Sequence, residues 1–296
     1  MPNQNNQTIT NDLEWTDLAL NGWGLYQRKG GLRFSIDAVL LSHFVKPAAR
    51  ILDACTGTGV VATIMAARFP KARIHGVDIQ PQLVENALAS RDRNGIAPKR
   101  LTFSLHDMRD RAPQMQRQFD LVTCNPPFFK VGHGAANPDS ETALARHEHT
   151  CTLDDMFRFA AYVLRERGRL AIIHRAARLD EVLATARAYK CKPVRLQPVY
   201  ARVNEPAKLF LLECCYLGAQ DLVLEEPLYI YDDAGYYRPT IQSWYQRRPN
   251  INHYAEETRI PPILPLILFW QQFPKSPHEA FSTHYNEGKN RQTAII

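Results

Sequence analysis

The chain lacks any run long and apolar enough to span a bilayer. Its longest candidate, residues 263–270, is broken by Pro265 and falls far short of the roughly eighteen residues a spanning helix needs. The start, Met1-Pro2-Asn3-Gln4-Asn5-Asn6, has neither the basic nor the apolar region of a secretion signal, so a cytoplasmic protein is expected. The six cysteines form no C-x-x-C pair, which argues against a dithiol redox motif and against structural zinc. Cys124, Cys191, Cys214 and Cys215 lie in or beside apolar strand candidates, where buried free thiols of a reducing compartment are expected. His133, His147, Glu148 and His149 lack the i, i+4 spacing of a helical zinc site, so no metal is expected. There is no G-x-G-x-x-G and no basic pair to hold a cofactor phosphate, which disfavours a nicotinamide dehydrogenase. No internal repeat is visible.

What is present is a chain of 296 residues with a formal charge of +6 and a pI near 9.0. That length can bury a large core. The basic residues cluster: Arg91, Arg93, Lys99 and Arg100; Arg109, Arg111 and Arg117; Arg165, Arg167, Arg169, Arg175 and Arg178. Such groups can neutralise nucleic-acid phosphates, and they can equally form a solvated face.

Residues 1–14 read as a polar arm, and 15–27 as a small ordered piece. Residues 35–45 read as a helix. Strands are expected at 50–54, 73–77, 101–105, 119–124 and 169–174, with helices at 60–69, 81–94, 153–164 and 179–189. Pro81 suits a helix start, Gly95 a helix end, and Thr152 a cap. Two further strands, 194–200 and 208–216, are joined by a polar connection and read as a hairpin. The alternation predicts an α/β doubly wound sheet, mostly parallel, with an antiparallel strand at the C-terminal edge. Residues 130–150 lack periodicity and read as a long functional loop.

Two loops carry the chemistry. Asp53-Ala54-Cys55-Thr56-Gly57-Thr58-Gly59 follows the first of these central strands. Gly57 and Gly59 allow close backbone approach of a ligand at a helix start. Asn125-Pro126-Pro127-Phe128 follows the fourth. Its prolines fix φ and remove donors, which leaves a stiff loop with free carbonyls where ligands bind in open α/β sheets. A carboxamide, a rigid carbonyl and an aromatic ring together form a receptor for a planar amine or amide. The Asn125 side-chain oxygen and the Pro126 carbonyl can accept the two N–H bonds, and Phe128 can stack on the plane. Asp78 stands after the second strand, where it can bind ribose hydroxyls or cap the next helix.

These residues resemble the S-adenosylmethionine-dependent amino-methyltransferases, and most closely the bacterial tRNA adenine methyltransferases that modify the base beside the anticodon of a valine tRNA. The resemblance spans about residues 30–237. It rests on Asn125 to Phe128, Asp78, Asp107 after the third strand, Asp37 before the first, and Ala145-Arg146-His147-Glu148 after the catalytic loop. It implies a class I methyltransferase fold that binds S-adenosyl-L-methionine through Asp37, Asp53, Gly57, Gly59, Asp78 and Asp107. Asp37 would lie near the amino-acid end of the donor, Asp78 at the ribose and Asp107 at the adenine amine. Asn125, Pro126, Pro127 and Phe128 would form the catalytic loop. The implied partner is tRNA, bound by an enzyme expected to be monomeric. The family commonly has a further glycine where Cys55 stands. It also commonly ends near residues 236–245, so residues 1–29 read as a lead-in, 30–246 as the methyltransferase domain and 247–296 as an extension without a core of its own. Methylation of a protein glutamine or a ribosomal-RNA guanine amine would suit the same loop, and a non-catalytic RNA-binding protein on this fold is a further alternative.

Overall fold

The computed structural model describes residues 12–20, 22–29, 34–126 and 151–245. A strand pair comes first, β1 (Leu13–Leu20) and β2 (Trp23–Arg28). The first strand therefore takes in the last two residues of the stretch read as a polar arm. The pair docks on helix α3 (Pro81–Arg93) and the residue after it: the Gly24 N–H donates to Asn94 Oδ1 at 2.9 Å, and the Tyr26 N–H to Ser90 Oγ at 2.9 Å. The Arg93 guanidinium lies over the Trp15 ring, 4.0 Å from its centroid.

The body is a sheet with the order β10-β8-β9-β7-β6-β3-β4-β5. Strands β3 (Arg50–Ala54), β4 (Arg73–Asp78), β5 (Leu101–Leu105), β6 (Phe119–Cys124) and β7 (Leu164–Arg175) are mutually parallel. Helices α1 (Ile36–Phe44) and α2 (Val60–Arg68) pack against each other. Helices α4 (Leu153–Val163) and α5 (Leu179–Ala188) cover the opposite face, where Phe157, Ala160 and Val182 meet Leu52, Val122, Leu170 and Leu212. Thr152 caps α4 in a reciprocal capping box with Asp155.

The antiparallel pair at the C-terminal end of the sheet is β8 (Cys191–Tyr200) with β9 (Leu209–Tyr216). The reversed strand is not the outermost one. β9 lies between β7 and β8, antiparallel to both. Its composition explains this: LFLLECCY is buried at every position, as a strand flanked on both sides must be. β8 carries Pro193 and Pro198 and alternates in burial, which suits the outer position. It begins three residues earlier than its sequence predicts, because a register shift between Pro193 and Arg195 absorbs the proline. Short strands β10 (Val223–Leu224) and β11 (Leu228–Tyr229) then run parallel along β8 and cover its edge. β7 also starts early, at Leu164. It follows α4 directly and is irregular where Arg167 takes a φ of 59°.

Candidate active site

The parallel strands point their carboxyl ends to one side, and the two candidate loops leave that side from neighbouring strands. Ala54 at the end of β3 pairs with Cys124 at the end of β6. The glycine loop and Asn125 thus begin about 5 Å apart, one strand spacing. The loop after β3 holds Cys55 at φ 52°, Gly57 at 56° and Gly59 at 83°. All three lie in the left-handed region. A Cβ on Gly59 would come within 2.7 Å of the Phe103 ring, whereas one on Gly57 would meet open space. Gly59 is thus required by both packing and conformation, and Gly57 by conformation and by room for a ligand.

Cys55 explains the departure from the glycine common at its position. A left-handed residue there is easiest as glycine. Cys55 instead directs its side chain to Cys151, with 4.0 Å between the sulfurs, and the Cys151 sulfur lies 3.3 Å from that of Met108. Cys124, directly before Asn125, belongs to the buried cluster against which Cys55 and Cys151 pack. All six cysteines are free thiols, and Cys124, Cys191, Cys214 and Cys215 are buried as expected.

The acids differ in what holds them. Asp53 is buried and accepts from Thr56 Oγ1 at 2.6 Å and Thr123 Oγ1 at 2.7 Å. Burial raises its pKa to about 6. Its place is that of a brace inside the loop. Asp78 accepts from the Gly57 N–H at 2.9 Å and from the Gln80 N–H at 3.0 Å. It therefore ties the glycine loop to the end of β4 and caps the entry to α3, while carboxylate lone pairs remain for a ligand.

Asp37 sits in the first turn of α1, buried, with Ser35 Oγ donating to Oδ2 at 2.9 Å. Its Oδ1 has no hydrogen-bond partner among the described residues. Burial raises its pKa to about 7. The far end of α1 leads to Lys46 and Pro47, whose carbonyls accept from Arg169, where the regular pairing of β7 with β6 and β9 begins. α1 therefore runs opposite to the strands, and Asp37 lies toward their carboxyl ends.

Asp107 is different again. Its carboxylate accepts from the Arg109 backbone at 2.9 Å and from Arg109 Nε at 3.0 Å, and this pairing lowers its pKa. It caps the turn through Met108. Pro127 and Phe128, the histidines at 133, 147 and 149, and the extension after residue 245 lie outside the described residues.

Several members of the site escape a motif reading. Thr56 and Thr123 hold Asp53. Gly76 admits the Phe103 ring and Thr56, since a Cβ there would approach them to 2.4 and 2.7 Å. The signal for Thr56 was its position three residues after an aspartate, while Thr123 and Phe103 looked like ordinary strand residues. Among the described residues no group of three or more histidines, cysteines or acids could hold a metal ion, and no helix is long and apolar enough to cross a membrane.

A cofactor with an amino-acid end and a ribose fits this set. Asp37 offers an ammonium a buried acceptor with no partner among the described residues, Gly57 offers room, and Asp78 offers lone pairs to hydroxyls. The model of the family described as "Methyltransferase domain" matches residues 45–220. A tRNA1(Val) (adenine(37)-N6)-methyltransferase of Porphyromonas gingivalis is 33% identical over 221 residues, covering 70% of this chain and 85% of that protein. Proteins of the same name from Pedobacter heparinus and Vibrio campbellii are 28% and 26% identical, covering 86% and 80% of their lengths and 70% and 63% of this chain. A crystal structure of a predicted O-methyltransferase from Agrobacterium tumefaciens superposes with a TM-score of 0.58 at 20% identity. It covers 71% of this chain and 95% of its own, and it supports the fold.

Proposed function

This chain belongs to the family of S-adenosylmethionine-dependent tRNA1(Val) (adenine(37)-N6)-methyltransferases, and from that premise we propose that it methylates the exocyclic amine of an adenine in tRNA at the Asn125 loop. The observation that carries the reading is the pairing of Ala54 with Cys124, which puts the donor loop and Asn125 on adjacent strand ends.

S-adenosylmethionine supplies an electrophilic methyl on its sulfonium. Asp37 receives the ammonium of the donor's amino-acid end, Asp78 the ribose hydroxyls, and the Gly57 backbone gives close approach. The adenine amine is a weak nucleophile, because its lone pair is delocalised into the ring. Asn125 Oδ1 and the Pro126 carbonyl accept its two N–H bonds and hold the nitrogen in line with the methyl carbon. Both acceptors gain strength as positive charge builds on nitrogen, so they stabilise the transition state more than the ground state. No strong base is needed beforehand, since the proton becomes acidic only once the methyl has moved. Phe128 stacks on the base. Residues 30–246 suffice for this chemistry, and 247–296 are dispensable for it.

The test is mass spectrometry of nucleosides from tRNA incubated with protein and donor. N6-methyladenosine is the expected product. A methylated guanosine, or a methylated protein glutamine with unmodified tRNA, would replace this reading with one of its alternatives.

A further inference from the structure

Beyond β6, the strands β7, β8 and β11 end on the same side of the sheet as Asn125. β7 closes with Arg175, and β8 closes with Tyr200 followed by exposed Arg202. β11 runs parallel to β8 and closes with Tyr229. Tyr200 and Tyr229 are half-buried and face each other at 5.3 Å with a 34° tilt. The Arg238 guanidinium lies 5.4 Å from the Tyr229 ring centre, and that of Arg202 lies 5.6 Å from Tyr231. Behind them Tyr231, Tyr237 and Tyr245 form a buried stack with spacings of 5.4 and 5.7 Å, which gives this margin a firm base.

Counting strand spacings of about 4.8 Å from β6, Tyr200 lies about 14 Å and Tyr229 about 19 Å along the margin. That is the reach of a few nucleotides. Half-exposed tyrosine faces with adjacent arginines are the combination that holds unpaired RNA, through base stacking and phosphate neutralisation. The existing partner of Arg202 is Glu205 at 3.1 Å, with 44% and 33% of the two side chains exposed. Such a surface pair is weak and yields readily to a phosphate. At the other end of the sheet, Arg169 and Arg195 are held by buried Glu213, so they are less available.

We infer that the margin formed by Tyr200, Arg202, Tyr229 and Arg238 binds the single-stranded RNA flanking the base to be methylated. One base stacks against the Tyr200–Tyr229 pair, and Arg202 and Arg238 neutralise neighbouring phosphates. This rests on the RNA reading above and adds where the RNA lies.

The experiment measures affinity of the full chain for a tRNA transcript across a salt series. The proteins are wild type, Arg202→Ala, Tyr229→Leu, and Arg117→Ala as a control on the opposite end of the sheet. Tyr229→Leu should weaken binding about 5- to 160-fold, the worth of one stacked base, without changing the salt slope. Arg202→Ala should reduce the slope of log affinity against log salt by about 0.7, one single-strand phosphate contact. Arg117→Ala should do neither. Donor affinity, measured by calorimetry, should be unchanged in all and serves as the check of folding. Since Arg202 is exposed, its result stands even if Tyr229→Leu fails to fold. Wild-type affinity and slope in Arg202→Ala would overturn the inference, as would a loss confined to Arg117→Ala. If wild type methylates tRNA while both margin variants bind normally, only this inference fails. If wild type leaves tRNA unmodified, the underlying reading fails first.

Discussion

The two ends of the sheet are built to opposite rules. At the amino end, the buried carboxylates are matched by donors of the protein. Asp120 accepts the backbone N–H groups of Ala49 and Arg50 at 3.2 and 3.0 Å and pairs with Arg165 at 2.8 Å. Glu213 receives Arg195 at 3.3 Å and Arg169 at 3.4 Å, while Arg195 also donates to the Phe44 carbonyl at 2.7 Å. At the carboxyl end the chain is left-handed at Cys55, Gly57 and Gly59, and Asp37 is buried with one oxygen unpartnered among the described residues. Burial lifts Asp37 to about 7 and Asp53 to about 6. The amino end is arranged for stability. The carboxyl end holds desolvated carboxyls, one of them with an oxygen that no described residue reaches.

The comparison breaks most sharply at Glu213. Glu213→Ala leaves two arginines without their shared counter-charge, one with only 12% of its side chain exposed. Unfolding free energy should fall by about 3 kcal/mol or more, while turnover per folded molecule stays the same. Urea denaturation and active-site-normalised rates would separate the two.

Asp37 should behave in the reverse way. Its folded pKa is raised, so its contribution to stability is complete below about pH 4 and is lost as pH rises through about 7. The full loss is of order 4 kcal/mol in the donor-free protein. Asp37→Asn should remove that pH dependence and stabilise the donor-free protein at pH 8 relative to wild type, yet weaken donor binding. Parallel melting curves at pH 5 and pH 8 check the sign. A substitution that changes neither would place Asp37 with the structural acids.

Asp78→Ala should weaken donor affinity by about 1.5–3 kcal/mol for each charged hydrogen bond lost, and it also frees the Gly57 N–H. Calorimetric titration reads this directly. The smallest effect is expected from truncation after Gln246, which should leave donor affinity and turnover on total tRNA unchanged. Loss of turnover in a folded truncated protein would assign residues 247–296 to the substrate-binding machinery.

Most of the sheet was legible because its strands are short apolar runs bounded by Gly and Pro, as at 50–54 and 119–124. The inner place of the reversed strand was not read, because hairpin spacing alone does not show which partner lies inside; the contrast between an unbroken LFLLECCY and a β8 interrupted by two prolines accounts for it. Gly57, Gly59 and Asp78 come together as their spacing implied. What the sequence did not reveal depends on contacts between distant segments. Thr123 reaches Asp53 across a strand pair, and Phe103 fills the space left by Gly59 and Gly76. Cys55 read as a gap in a glycine pattern, and its meaning came only with the Cys151 thiol beside it and the buried cluster it packs on.

The central claim is that the amine is methylated at the Asn125 loop, and one comparison tests it most directly. Wild type and Asn125→Ala are run in single turnover at saturating donor and tRNA, with digested nucleosides followed by mass spectrometry. The account predicts N6-methyladenosine from wild type, a rate lower by about 10²–10³-fold in the variant, and unchanged donor affinity. Near-normal formation of N6-methyladenosine by Asn125→Ala would contradict it.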